Sequence, residues 1–144
     1  MRGVTLVELV ITLALVGLLA AVVVPGSAAL TDRLAVEHQA LRILLAYRSA
    51  WGAALSQQRL AILRITPDSL AIRTVRNAGS PDTTLAWLAP GPAAAGVTLT
   101  SPPNSSVFGP DGVGLGLSNT RHVLTRGGVT RQVVVSRLGR VRIN

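Results

Sequence analysis

One carboxylate stands where a charge is costly. From Val4 to Val24 the chain runs through 21 positions that are apolar, small or threonine, with Glu8 as the only ionisable residue. A carboxylate inside an apolar layer costs several kcal/mol unless it is paired, so an acid in such a place points to function. Toward the other end, Arg121, Arg126, Arg131, Arg137, Arg140 and Arg142 fall between Arg121 and Asn144 with no acid among them. The guanidinium fork contacts phosphate bidentately, so this cluster suits a phosphate-bearing partner. The structural use of the same residues is to solvate an edge strand and discourage sheet aggregation.

Other chemistry is thin. The chain has no cysteine, which excludes disulfides, thiolate metal sites and thiol catalysis. His38 and His122 are the only histidines, and neither is spaced with Asp or Glu as a metal site requires. No Gly-x-Ser-x-Gly turn supports a nucleophilic serine. Asp111 lies in Gly109-Pro110-Asp111-Gly112, a turn in which a short acid bonds its own backbone. The glycines from Gly112 to Gly116 do not open a helix after a strand, which argues against a phosphate-cradling loop. Trp51 and Trp87 lack a surrounding set of basic and aromatic residues for base stacking, so anchoring in a core or interface is expected of both. No catalytic residue, metal site or cofactor is expected.

These residues need elements to position them. The run from Val4 to Val24 spans roughly 31 Å as a helix, matching the ~30 Å hydrocarbon core of a bilayer. Arg2 and the initiating amine precede it, which places this end in the cytoplasm. Pro25-Gly26 interrupts the run, and from Ser27 to about Gln58 the pattern is that of an amphipathic helix. Leu30, Leu34, Leu41, Leu44, Leu45, Trp51 and Leu55 recur at three-, four- and seven-residue steps, with Asp32, Arg33, Glu37, Arg42 and Arg59 on other faces. Together the two stretches predict one helix of more than 50 residues, bent near Pro25. Its first half belongs to a membrane or filament interior and its second packs against a head.

That head begins near Arg59, beyond which lie seven of the eight prolines and ten of the 14 glycines. Strands are expected at about 60–65, 70–75, 97–100, 106–108, 122–124, 129–136 and 141–143, with exposed loops at 77–84 and 89–95. Alternation puts Arg140, Arg142 and Asn144 on one face of the last strand, and Gly139 before them suggests a turn or bulge. At 49% apolar but 3% aromatic residues, the core must be built from Val, Leu, Ile and Ala. The 14 basic residues, all arginine, outweigh six acids to give a net charge of +8. That excess suits nucleic acid, lipid headgroups or an acidic protein surface, and arginine-only usage is also what GC-rich coding gives.

Gly3 followed by Val4-Thr5-Leu6-Val7-Glu8-Leu9 resembles the start of type IV pilins and type II secretion pseudopilins, with Pro25 where that family places its helix-kinking proline. Val107-Phe108-Gly109-Pro110-Asp111-Gly112 and the stretch from Arg131 to Arg142 resemble the head of the GspH/FimT group within it. The resemblance implies an α+β fold: a leader at 1–3, a membrane or filament-core helix at 4–25, its amphipathic continuation at 26–58, and a β-rich periplasmic head at 59–144. It implies cleavage between Gly3 and Val4 by a prepilin peptidase, with methylation of the Val4 amine. Glu8 would then neutralise the Val4 amine of a neighbouring subunit and fix the axial register.

The implied function is that of a structural subunit, not an enzyme. The leading expectation is an H-type minor pseudopilin of the type II secretion system, anchored by a single pass in the bacterial inner membrane. Its partners would be other pilins or pseudopilins through the N-terminal helix, the peptidase, the inner-membrane assembly platform and membrane lipid. The alternative is a FimT-like minor pilin that binds DNA for uptake. In that branch Gly-Arg-x-Arg is associated with DNA capture, and Gly139-Arg140-Val141-Arg142 matches it, with Arg137 nearby.

Overall fold

The computed structural model describes residues 4–76, 83–102, 105–115, 119–136 and 139–144, leaving aside the side chains of 22–26. A single helix of 52 residues, α1 (Leu6–Gln57), leads into the head. Thr5 caps its start in an extended conformation, and its hydroxyl accepts the Glu8 N–H at 3.3 Å. The helix therefore begins two residues later than the apolar run. Thr5-x-x-Glu8 has the spacing of a capping box, which favours this start. At the other end Gln58 takes a left-handed conformation (φ 52°), and its N–H bonds to the Ala54 carbonyl. The backbone of α1 is helical through position 25; the side chain of Pro25 and the expected bend there lie outside the described residues.

Two antiparallel sheets follow. One has the order β3-β2-β1-β5-β6, from β1 (Leu60–Ile65), β2 (Ser69–Val75), β3 (Thr83–Pro90), β5 (Ser106–Phe108) and β6 (Gly114–Leu115). The other has the order β4-β7-β8-β9, from β4 (Thr98–Thr100), β7 (Thr120–Arg126), β8 (Val129–Val135) and β9 (Val141–Ile143). Both pack on the second half of α1. The fold is the expected α+β arrangement of a long N-terminal helix on an antiparallel head.

Local sequence accounts for the tightest turns. Gly127 (φ 53°) and Gly128 (φ 81°) join β7 to β8, as a two-residue hairpin with both central residues left-handed requires. Thr66 and Ser69 close the β1–β2 turn around Pro67, with the Thr66 N–H on the Ser69 carbonyl at 2.9 Å.

The helix packs on the head through a different face from the leucine stripe. Val36, Ala40, Ile43, Ala46, Tyr47, Ala50 and Ala54 are buried, a stripe at three- and four-residue steps. Opposite them lie Leu63, Leu70, Ile72, Phe108, Leu124, Val133 and Val135. Alanine on the helix lets its backbone approach the sheets, while the larger residues on the strands fill the space. Leu30, Leu34, Leu41, Leu45 and Trp51 are exposed, Leu34 at 60%, and Leu44 and Leu55 are only partly covered. Leucine outweighs alanine in any hydropathy pattern, so the sequence shows the bulkier stripe more strongly. Two apolar stripes run along one helix, and the head covers the smaller.

The expected middle loops also differ. Residues 77–82 lie outside the described residues, but Thr83, Thr84, Ala89 and Pro90 belong to β3, and Pro92–Ala95 forms a 3₁₀ turn. Nearly every side chain of β3 is exposed, because β3 edges its sheet and the head covers neither of its faces. Without a buried face there is no alternation to read. A bulge between its partners Ile72 and Arg73 further breaks the period, as two residues of β3 advance by Leu85 and Trp87 around Ala86. The short β6 was not anticipated either. A two-residue strand carries no period.

This packing predicts opposite responses along one helix. Ala50→Leu should destabilise the head by about 1–3 kcal/mol through overpacking. Leu41→Ala should change stability by less than about 0.5 kcal/mol. Chemical denaturation of the full chain in detergent micelles measures both.

Candidate functional site: an outer helix face and an arginine-lined hollow

Every residue from Val4 to Ala21 is exposed, and on the head-bearing half of α1 the outer leucines at 30, 34, 41 and 45 are exposed too, with His38 exposed among them. Among the described residues no helix is long and apolar enough to cross a membrane; the side chains of 22–26, which include part of the apolar run, are not among them. Val4 and Glu8 stand exposed at the start of this surface. Glu8 occupies the first turn of α1, where the helix dipole favours a negative charge. Gly3 lies outside the described residues.

The polar face of α1 is not solvated throughout. Asp32 Oδ1 accepts from Arg126 Nε at 2.8 Å, and Glu37 Oε1 accepts from Arg131 Nη2 at 2.8 Å and Nε at 3.1 Å. Both pairs join α1 to the β7–β8 hairpin, and both are partly shielded from water. Arg126 also donates from Nη1 to the Ala95 carbonyl. Gly127 permits the first pair, because a Cβ there would stand 1.8 Å from Asp32 Oδ2. Arg42 adds a contact from Nη2 to the Pro90 carbonyl at 2.9 Å. Two of the six C-terminal arginines thus hold the head on its helix. Sequence spacing shows the acids and the arginines but not that they meet.

Of the others, Arg140 and Arg142 form a ridge at the last strand, and Arg121 is exposed on β7. Along β9 and the residues that flank it, Arg140, Arg142 and Asn144 are exposed while Val141 and Ile143 are half-buried, as alternation requires. Gly139 (φ 76°) turns the chain into this strand, donating its N–H to the Ser136 carbonyl at 2.9 Å. Neither Arg140 nor Arg142 has a carboxylate partner among the described residues. Arg137 lies outside the described residues.

Beside the ridge the fold assembles what the sequence keeps apart. Tyr47, Arg48 and Trp51 of α1, Phe108 of β5, Gly112, and Gly139, Arg140 and Val141 line a hollow of about 270 Å³. Trp51 Nε1 donates to the Gly112 carbonyl at 3.1 Å, and a Cβ at Gly112 (φ 77°) would stand 2.8 Å from that nitrogen. The Asp111 turn shapes one wall, with Asp111 Oδ1 accepting from the Val113 N–H at 3.0 Å, the backbone role its turn suggests. Trp51 does have basic and aromatic neighbours. Tyr47 and Arg48 precede it by one helical turn, a signal the sequence does carry, while Phe108 and Arg140 join it only on folding.

Beneath the hollow runs a buried chain of polar groups. Tyr47 Oη lies 3.0 Å from Ser106 Oγ and 2.9 Å from His122 Nε2, and His122 Nδ1 lies 2.7 Å from Ser101 Oγ. Hydroxyls can donate or accept, so a neutral imidazole satisfies every member. Burial lowers the His122 pKa to about 4 and raises that of Tyr47. Both hydrogen-bond partners of this imidazole are hydroxyls, so it works as an interior tie between helix and sheets.

The fold is similar to that of the type IV minor pilin FimU of Pseudomonas aeruginosa, seen in two crystal forms. One matches with a TM-score of 0.64 at 19% identity, covering 80% of this chain and 92% of that one. The other matches with a TM-score of 0.56 at 17% identity, covering 78% and 91%. No protein-family model matches the chain, and no curated protein matches its sequence.

The buried histidine sets a pH dependence. His122 is neutral in the folded chain down to about pH 4, whereas in the unfolded chain it takes a proton near pH 6.5. The unfolded state binds the extra proton between these values, so stability is full above the higher and lost as pH falls toward the lower. The loss should reach about 3 kcal/mol near pH 4. Denaturant midpoints of the chain and of His122→Asn, compared across this range, should converge as pH falls.

Proposed function

We propose that this chain, which has a type IV pilin-like fold, is a structural subunit of a pilin-type filament, held there by α1. The observation that carries the reading is the apolar surface of α1 that the head leaves uncovered, from Val4 to Ala21 around Glu8 and again at Leu30, Leu34, Leu41 and Leu45, with His38 exposed among these leucines. Exposing so much apolar area in water is costly at roughly 25 cal/mol per Å². Copies of the same helix, or of related subunits, would cover it. Before assembly the run from Val4 to Val24, apolar but for Glu8, is suited to a single pass through the inner membrane, with the head in the periplasm. A prepilin peptidase would cut between Gly3 and Val4, and the Val4 amine of one subunit would neutralise Glu8 of another. Pro25 would mark the division between the membrane half of the helix and the half that carries the head. An assembly platform in the same membrane would build the filament.

Within that class, one observation favours a pilus that captures DNA over an H-type pseudopilus of type II secretion. Arg140 and Arg142 stand exposed without carboxylate partners among the described residues, which leaves two guanidinium groups open to a phosphate backbone.

Each step has its test. Glu8→Ala should leave peptidase processing intact and reduce incorporation into filaments; normal incorporation would contradict the pairing. In gel shifts with the full chain in detergent micelles, duplex DNA should bind with strong salt dependence. Arg140→Ala with Arg142→Ala should weaken binding and lower the salt slope by about 2. Unchanged affinity would remove the ridge as the site.

A further inference from the structure

The hollow between α1 and the β8–β9 turn has chemistry that the ridge alone lacks. Its floor is aromatic, since Tyr47 and Phe108 line it with 2% of their surface exposed each. Trp51, pinned by its hydrogen bond to Gly112, is the half-exposed wall. Arg48 and Arg140 stand exposed at its edge, and neither has a carboxylate partner among the described residues. A second hollow, lined by Val134, Ser136, Gly139, Arg140 and Arg142, shares Gly139 and Arg140 with the first. A cationic track therefore leads from the aromatic hollow out along β9.

We infer that this hollow is a subsite for one unstacked base of a single-stranded nucleic acid, with Trp51 against the ring and Arg48 and Arg140 on the adjoining phosphate. The inference rests on the nucleic-acid reading above and specifies it. An aromatic wall flanked by two guanidinium groups fits a flat ring joined to an anion. The adjoining track through Arg142 fits further anions at intervals along the same chain. Single-stranded nucleic acid carries a flat ring for every phosphate. A duplex keeps its rings inside the stack, and an acidic peptide supplies carboxylates without them. At about 270 Å³ the hollow is near the lower limit of small-molecule sites, enough for one ring and not for a stack.

The test uses the full chain in detergent micelles and fluorescence anisotropy. Three probes share one sequence or length: a labelled single strand, its duplex, and an abasic strand that keeps the phosphates and lacks the bases. The single strand should bind about tenfold more tightly than the abasic strand, the worth of one stacked base. Trp51→Ala should erase that difference and leave duplex binding unchanged. Trp51→Phe, which keeps a ring without the indole N–H, should restore most of it. Arg48→Ala should weaken the intact and abasic strands alike. With Trp87→Phe leaving Trp51 as the only tryptophan, the single strand should quench its fluorescence and the abasic strand should not. Equal affinity for intact and abasic strands, with duplex still bound, would overturn the subsite and spare the ridge. Failure of every nucleic acid to bind would overturn both. Quenching by an acidic peptide but not by the single strand would reassign the hollow to a protein partner.

Discussion

The alanine face of α1 is the contact on which the head depends. Ala40, Ala46, Ala50 and Ala54 have no exposed surface, and with Val36, Ile43 and Tyr47 they are the meeting line of two sheets that are not hydrogen-bonded to each other. With so few aromatic residues, the core gains its density by close approach. The helix comes near enough for leucine, isoleucine and valine of both sheets to reach it. Polar ties then fix the helix along and around its axis. Asp32 and Glu37 hold the β7–β8 hairpin, Arg42 holds the end of β3, and Tyr47 reaches both sheets through Ser106 and His122. Removing one member of such a set leaves a partly buried polar group unpaired, which costs more than the bond itself contributes.

Because small residues face the head, the large ones are free for something else. The leucine stripe and the apolar run before it are unsatisfied within one chain, and the proposed filament is the setting in which they are covered. The charges divide in the same manner. Arg126 and Arg131 are consumed in holding the head, while Arg48 and Arg140 remain exposed around one aromatic hollow and Arg142 lines the hollow next to it. A net charge of +8 is therefore not spread evenly in its effect. Part of it is structural, part stands around the last strand, and Arg33, Arg64, Arg73, Arg76 and Arg121 are exposed elsewhere.

Much of this was legible in the residues. Strands at 60–65, 106–108 and 141–143 fall where their apolar runs lie, and Gly127-Gly128, Gly139 and the Asp111 turn act as their types require. Thr5 and Glu8 carried a cap signature that the apolar run around them obscured. The illegible parts share a cause: they depend on contacts between distant segments or on faces that nothing buries. Exposure left β3 without alternation. The identity of the packing face turned on size complementarity with strands not yet placed, so the heavier leucines drew attention from the alanines. Tyr47 and Arg48 stand one helical turn before Trp51 in the sequence, whereas Phe108, Gly112 and Arg140 join it only on folding.

The central claim is that α1 has two apolar faces with different partners, the head for alanine and neighbouring subunits for leucine. The chain has no native cysteine, so single introduced thiols report without background. The most direct measurement is a cysteine scan along α1 in assembled filaments, with cross-linking between subunits read at each position. The account predicts cross-links at Leu30, Leu34, Leu41 and Leu45 and none at Ala40, Ala46 or Ala50. Cross-links at the alanine positions, or leucine positions that stay open to a water-soluble thiol reagent after assembly, would contradict it.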